Sequence, residues 1–264
     1  MKTKFKSKIL RFKVNYLKIA VFYAAIFLQI IIYMCSYIGI KVSKKDFIKL
    51  KQIEKEVGIL ATLEIVRSGF DYNDWGIVKA NTDKKDIEIT PAHWEFIPQW
   101  ISNESELKNA RKKGIPWLNA TAEKLLSSKM FGSAALHRRC LVPVSYFYEW
   151  MHIKQTGAKK TTNYPFAISV KEKNIFYLAG IYQPWMNKDT GEQKNTFAIV
   201  TTKANVFMSK IHNTRLRMPT ILNEELAYSW LLEDLTEQQI FEIASFEQGL
   251  AMVWNLENVS PNKC

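Results

Sequence analysis

This sequence predicts a compact, β-rich α+β fold with helices at its flanks, on three observations. β-branched and aromatic runs dominate residues 138–205, helix-capping signals recur toward the chain's ends, and no repeat or low-complexity tract breaks the order. With 264 residues, 47% of them hydrophobic and 13% aromatic, the chain can bury one full core. One domain is expected over residues 34–264, preceded by a separate extension at 1–33.

The elements follow in order. Ser43, Asp46 and the spaced apolar residues Phe47, Leu50, Ile53 and Val57 predict a capped helix that stops near Gly58. Gly69, Asn73, Gly76 and Asn81 mark residues 69–92 as turn-rich, and HWEFIPQWI (93–101) predicts a strand entering a loop at Pro98. Residues 119–138 suit a helix, and RRCLVPVSYFYEWMHI (138–153) a strand segment. PFAISV and IFYLAGIYQPW flank the turn Lys171–Asn174 as a predicted hairpin, and TFAIVTTKAN (196–205) is a buried strand. Asn223 and Thr236 cap two helices, the second with Gln239 completing a capping box.

Charge and cysteine usage narrow the function classes. The net charge is +12, but residues 1–33 hold seven Lys/Arg and no acid, which leaves a net of +5 on the rest. So mild a balance permits a nucleic-acid partner through a local patch without requiring one. Three cysteines (Cys35, Cys140, Cys264) and four scattered histidines, without a Cys-x-x-Cys, argue against a disulfide framework or a zinc site. No metal and no cofactor is expected, and a reducing cytoplasm fits.

The opening segment runs apolar from Ile19 to Met34 with Gln29 as its interruption. This stretch is shorter than the ~20 residues that span a bilayer. No A-x-A cleavage site follows, Met34 is too large for the residue before a lipidated cysteine, and Cys264 lacks the three residues a prenylation box needs. Residues 1–33 are therefore expected to be a mis-assigned upstream start, with a membrane anchor as the alternative.

Five pieces of the chain carry a family pattern: Met34-Cys35; Trp94 with Pro98 and Trp100; LNATAE (118–123); RRCLVPVSYFYEW (138–150); and IHNTRLRMPTIL (211–222). In order and spacing, over residues 34–264, they resemble the SOS response-associated peptidase (SRAP) family. The resemblance implies a compact β-rich fold with a positively charged groove that binds single-stranded DNA. It further implies covalent capture of abasic sites, by a thiazolidine between the sugar aldehyde and the cysteine that becomes N-terminal once the methionine is removed. Such a protein would act as a monomer on DNA in the cytoplasm, and meet a membrane only if residues 1–33 are retained.

The chemistry explains why position matters. An aldehyde condenses with an α-amine to an imine, and a thiol one carbon away closes a five-membered ring, so only an N-terminal cysteine offers both groups. The α-amine, with a pKa of about 7.7 to 8.0, is partly neutral and nucleophilic near pH 7. Nothing can then remain attached before Cys35.

Glu149 lies among Phe147, Tyr148 and Trp150, where burial would raise its pKa. A carboxyl held near neutrality can protonate the sugar ring oxygen and retrieve the proton, the role the resemblance implies. Its bland reading is an outward-facing glutamate on an alternating strand. His212 matches the family's proton-shuttling histidine; alone, it could be a loop histidine that bonds backbone. Asn119 matches the asparagine beside the captured sugar, and alone could be a helix N-cap.

Arg138, Arg139, Arg215 and Arg217 are candidate phosphate contacts, with Trp94 and Trp100 as stacking platforms. Trp117 could pack or stack, and Lys108, Arg111, Lys112 and Lys113 read as a solvated surface turn. The chain departs from the family pattern at Ser36-Tyr37 (often Gly-Arg), Thr121 (Arg), Glu95 (Gly) and Tyr146 (Gly). Two other classes stay open. One is a thiol hydrolase using Cys35, His212 and Glu149; the other is a membrane-tethered, inactive DNA-binding module.

Overall fold

The computed structural model describes residues 35–43, 45–58, 60, 65–114, 116–154, 161–247 and 251–256. The extension 1–33, Met34 and Cys264 lie outside the described residues. Among the described residues no helix is long and apolar enough to cross a membrane.

The β-rich α+β class is borne out. A five-stranded sheet runs in the order β15(Met252–Leu256), β10(Thr162–Val170), β9(Tyr146–Ile153), β1(Tyr37–Ile40), β4(Ile65–Ser68). In the second sheet β12(Gln193–Lys203), β6(Ile87–Trp94), β5(Asp74–Ala80), β8(Arg139–Val144) and β11(Phe176–Met186) close on themselves, because β11 also pairs with β12. β7(Asn119–Thr121), β13(Arg217–Pro219) and β14(Ile221–Leu222) extend this barrel. Phe147 of β9 meets Phe176 of β11 edge to face at 6.3 Å, tying the two sheets into one core.

Several predicted elements need correction. The helix expected from Ser43 is a hairpin, β2(Phe47–Leu50) with β3(Ile53–Glu56). Ile48 and Leu50 bury at a period of two, and Lys51 takes φ +51° in the turn. Ser43 and Asp46 close a turn instead, the Asp46 N–H donating to the Ser43 carbonyl at 3.0 Å. Gly69–Asp71 forms a 3₁₀ turn, as its turn formers predict, whereas the rest of the turn-rich stretch 69–92 holds β5 and β6, whose buried apolar residues outweigh Gly76 and whose connecting turn lies at 81–86.

The helix expected over 119–138 shrinks to α2(Gly132–His137), the label α1 being kept for Glu104–Lys112; Asn119–Thr121 is a strand drawn parallel to β12. The segment 138–153 is two strands in two different sheets, broken at Ser145, whose hydroxyl donates to the Asn174 carbonyl at 2.6 Å. The hairpin predicted across 171–174 does not form: β10 and β11 lie in different sheets, and β11 pairs with β8 and β12. Edge helices follow their caps. Between β12 and β13 lies α3(Val206–Ile211), and Asn223 caps α4(Glu224–Leu232); Thr236 caps α5(Glu237–Ala244) in a capping box with Gln239.

Candidate active site

Cys35, Asn119, Glu149 and His212 come from four separate parts of the chain and converge. β1 pairs antiparallel with β9, Tyr37 opposite Tyr148, so the chain immediately before β1 leaves the sheet beside Glu149. There the Cys35 N–H donates to Glu149 Oε1 at 2.9 Å. β7 places Asn119 opposite Ile199 of β12, and its side-chain amide donates to the Cys35 carbonyl at 3.4 Å. His212 closes α3, with Nδ1 2.8 Å from the Arg217 carbonyl and 3.6 Å from Glu149 Oε2. A proton on Nδ1, donated to that carbonyl, leaves Nε2 as the acceptor nitrogen.

The platform beneath the site is backbone packed on backbone. Gly69 donates its N–H to the Ser36 carbonyl at 2.7 Å. A Cβ on Gly69 would stand 2.7 Å from a Leu118 methyl, so a larger residue there would have to push that side chain aside. Trp94 donates its indole N–H to the Leu118 carbonyl at 3.2 Å, fixing the residue before Asn119.

Burial governs the electrostatics. Cys35, Glu149 and His212 are 1%, 3% and 2% exposed, and burial disfavours the charged forms of the Cys35 thiol and the Glu149 carboxyl. Desolvation pushes the Glu149 carboxyl up to about 8, against the lowering effect of the bond from the Cys35 N–H. Burial, and secondarily the Glu149 charge, raise the Cys35 thiol well above its ordinary value. Near neutral pH the site therefore holds a protonated thiol beside a carboxyl poised to give or take a proton. Among the described residues no group of His, Cys, Asp and Glu is arranged to hold a metal ion.

The candidate DNA contacts divide sharply. Trp94 is 1% exposed and Arg139 7%, and both belong to the protein's interior, which corrects their reading as DNA contacts. The Arg139 guanidinium donates to the carbonyls of Ala135, Leu136, Trp230 and Glu233, clamping the C-terminal ends of α2 and α4. Trp100 is 59% exposed. Arg138 has neutral partners, Ser133 Oγ at 3.3 Å and Gln183 Oε1 at 3.4 Å. Arg215 is half-buried on the loop after His212.

Arg217 is tied to Glu123 Oε1 at 2.5 Å and to the Thr201 carbonyl at 2.6 Å. Trp117 packs against the core. Arg111 is no solvated-turn residue: it lies in α1, with Nε donating at 3.0 Å to Glu95, a fully buried carboxylate where the family pattern has glycine. Sequence reasoning missed Glu123, which pairs with Arg217, and Asn213, which directly follows His212, though both lie inside the quoted motifs.

The SOS response associated peptidase (SRAP) family model matches residues 46–260. The chain is 36% identical over 149 residues to the abasic site processing protein YoqW of Bacillus subtilis, covering 56% of this chain and 59% of that one. To the abasic site processing protein YedK of Escherichia coli it is 26% identical over 159 residues, covering 60% and 62%. These alignments span about three fifths of each relative's length. A crystal structure of a Bacteroides thetaiotaomicron protein superposes with a TM-score of 0.63 at 31% identity, over 73% of this chain and 78% of that one. One from Bordetella bronchiseptica, at 17% identity, shares the fold with a TM-score of 0.65, over 85% and 100%. The family-model match across residues 46–260, most of the chain, identifies it as a member of the SRAP family.

Proposed function

We propose that this protein captures abasic sites in single-stranded DNA covalently, through Cys35 as the first residue of the active chain. The observation that carries the reading is the Cys35 nitrogen 2.9 Å from Glu149 Oε1. In the present chain that nitrogen is an amide; after removal of residues 1–34, by a corrected start with methionine excision or by self-cleavage, an α-amine would occupy its place.

The steps balance without a co-reactant. Neutral Glu149 protonates the ring oxygen of the abasic sugar as the anomeric hydroxyl loses its proton, which opens the ring to an aldehyde. The amine adds to that carbonyl and water leaves, giving an imine. The thiol then adds across C=N, its proton passing to nitrogen, and the net change is aldehyde plus aminothiol to thiazolidine plus water. Asn119 orients the residue through the Cys35 carbonyl, and His212 relays protons between Glu149 and the departing or returning oxygen. Trp100, Arg138, Arg215 and Arg217 are the remaining candidates for the DNA strand.

The names of the relatives support this reading, and the raised thiol pKa disfavours the thiol hydrolase, whose nucleophile must be a thiolate. The test is a chain starting at Met34, incubated with an abasic oligonucleotide and with the intact one, then resolved under denaturing conditions. A covalent band with the abasic strand alone is expected. Equal retention of both, or of neither, would reject the proposal, and so would crosslinking by a chain whose mass shows residues 1–34 still attached.

A further inference from the structure

β9 receives a rung of hydrogen bonds from one side chain outside the predicted site. β9 is paired along one edge with β10 through Thr162 opposite Ile153. On its other edge β1 reaches only to Tyr148, because the chain turns away there to set Cys35 against Glu149. Among the described residues, the peptide groups beyond Tyr148 on that edge have no strand partner. At His152 the Asn213 side chain substitutes for one. Asn213 Oδ1 accepts the His152 N–H at 3.0 Å, and Asn213 Nδ2 donates to the His152 carbonyl at 2.9 Å.

A carboxamide has a peptide group's donor and acceptor at matching spacing, so this pair of bonds mimics one rung of a β-ladder. Its consequence lies one residue back. Asn213 follows His212 directly, and His152 follows Glu149 by three, so the rung docks the histidine's loop onto the glutamate's strand. Within the loop, Leu216 donates its N–H to the His212 carbonyl at 3.0 Å and adopts φ +52°, which turns the Arg217 carbonyl toward His212 Nδ1. The loop thus fixes the imidazole's tautomer internally. The bonds from Asn213 attach that loop to β9, where His212 Nδ1 stands 3.6 Å from Glu149 Oε2.

We propose that Asn213 is a positioning residue for the Glu149–His212 pair, acting through the His152 backbone and touching neither reacting atom. An aspartate there could accept from the His152 N–H but would turn a second acceptor on the carbonyl, so the site requires the amide itself. The proposal rests on the crosslinking reading for its rate measurement alone.

The test compares Asn213→Ala and Asn213→Asp with the parent chain, all starting at Met34. The first measurement needs no DNA: the titration of His212 by NMR, with and without Glu149→Gln. In the parent, Glu149→Gln should shift the His212 midpoint; in both Asn213 variants the shift should shrink or vanish as the loop leaves β9. The second is adduct formation with an abasic oligonucleotide, expected to fall roughly tenfold to a hundredfold from misplacement of the pair. The rate is taken at saturating strand, so that any affinity lost as Arg215 moves with the loop does not enter it.

A parent-like His212 titration in either folded variant, with coupling to Glu149 retained, would overturn the proposal. If neither variant folds, Asn213 is an architectural residue and the assignment falls as well. If the parent itself makes no adduct, the crosslinking reading fails while the NMR result still decides the role of Asn213.

Discussion

The Cys35 backbone nitrogen and the Glu149 carboxyl, 114 positions apart in sequence, are joined by a 2.9 Å hydrogen bond between two buried residues. The pairing gives the buried Glu149 carboxyl a backbone donor, and that donor is the residue whose chemistry it would serve. It also makes the ionisation of Glu149 the property from which activity and stability both follow.

Replacing Glu149 by Gln keeps the shape and removes the proton. Adduct formation at neutral pH should slow by ~10² to 10⁴, the usual cost of one positioned acid or base. A change below about threefold would assign Glu149 to structure. Stability should move the other way. The folded-state pKa of about 8 lies above the ordinary 4.5, so between these values the unfolded chain ionises while the folded one keeps its proton. In the present chain folding should therefore weaken as pH rises from 4.5 to about 8, by an amount on the order of a few kcal/mol. Denaturant titrations across that window should show the decline in the parent and its loss in the Gln variant.

Glu123 neutralises Arg217 through a 2.5 Å ion pair. Glu123→Gln removes the charge partner at 2.5 Å and leaves the guanidinium its bond to Thr201. Tighter binding of intact single-stranded DNA is expected, with the slope of log affinity against log salt steepening by roughly one phosphate contact. Binding curves at several salt concentrations decide it; an unchanged slope would mean that Arg217 serves only to hold the His212 loop.

Neighbouring arginines should behave oppositely. Arg139→Leu leaves carbonyls at the ends of α2 and α4 without their donor, and should cost about 3 kcal/mol or more in a urea unfolding curve. Arg138→Ala removes only two long bonds to neutral groups and should stay within about 0.5 kcal/mol. Loss of DNA affinity without loss of stability is expected for Arg138 alone.

Tyr146 lies directly over Gly39: a Cβ on that glycine would fall 1.9 Å from the tyrosine ring. Gly39→Ala should destabilise by about 1–3 kcal/mol through overpacking. Adding Tyr146→Gly, the residue the family pattern often carries there, should recover much of the loss. A double-mutant cycle measures the coupling, and additive effects would show that the ring moves aside freely.

Much of the outline was legible along the chain. The caps at Asn223 and Thr236 act through residues three positions away, and the apolar run inside β12 is long enough to specify a buried strand in any context. Short amphipathic stretches were not legible in the same way. Phe47, Leu50, Ile53 and Val57 satisfy a helical period, while Ile48 and Leu50 satisfy a strand's; the core that received Ile48 and Leu50 decided between them. The same limit separated β10 from β11, since a turn between two strand-like runs does not say which sheet each run joins.

At the site, the sequence by itself determined which groups are available: a thiol at Cys35, a carboxyl at Glu149, an imidazole at His212 and an amide at Asn119. Motif order alone sufficed to nominate them, because reactivity begins with residue type. Only the tertiary structure decided their states and separated true surface cations from interior ones. A carboxyl pushed to about 8, a guanidinium spent on four carbonyls at Arg139, and an asparagine standing in for a strand at Asn213 all depend on what packs across from them. The free energy of a charge or hydrogen-bonding group is set by the polarity and donors around it, and in a folded chain those come from residues that the local sequence does not contain.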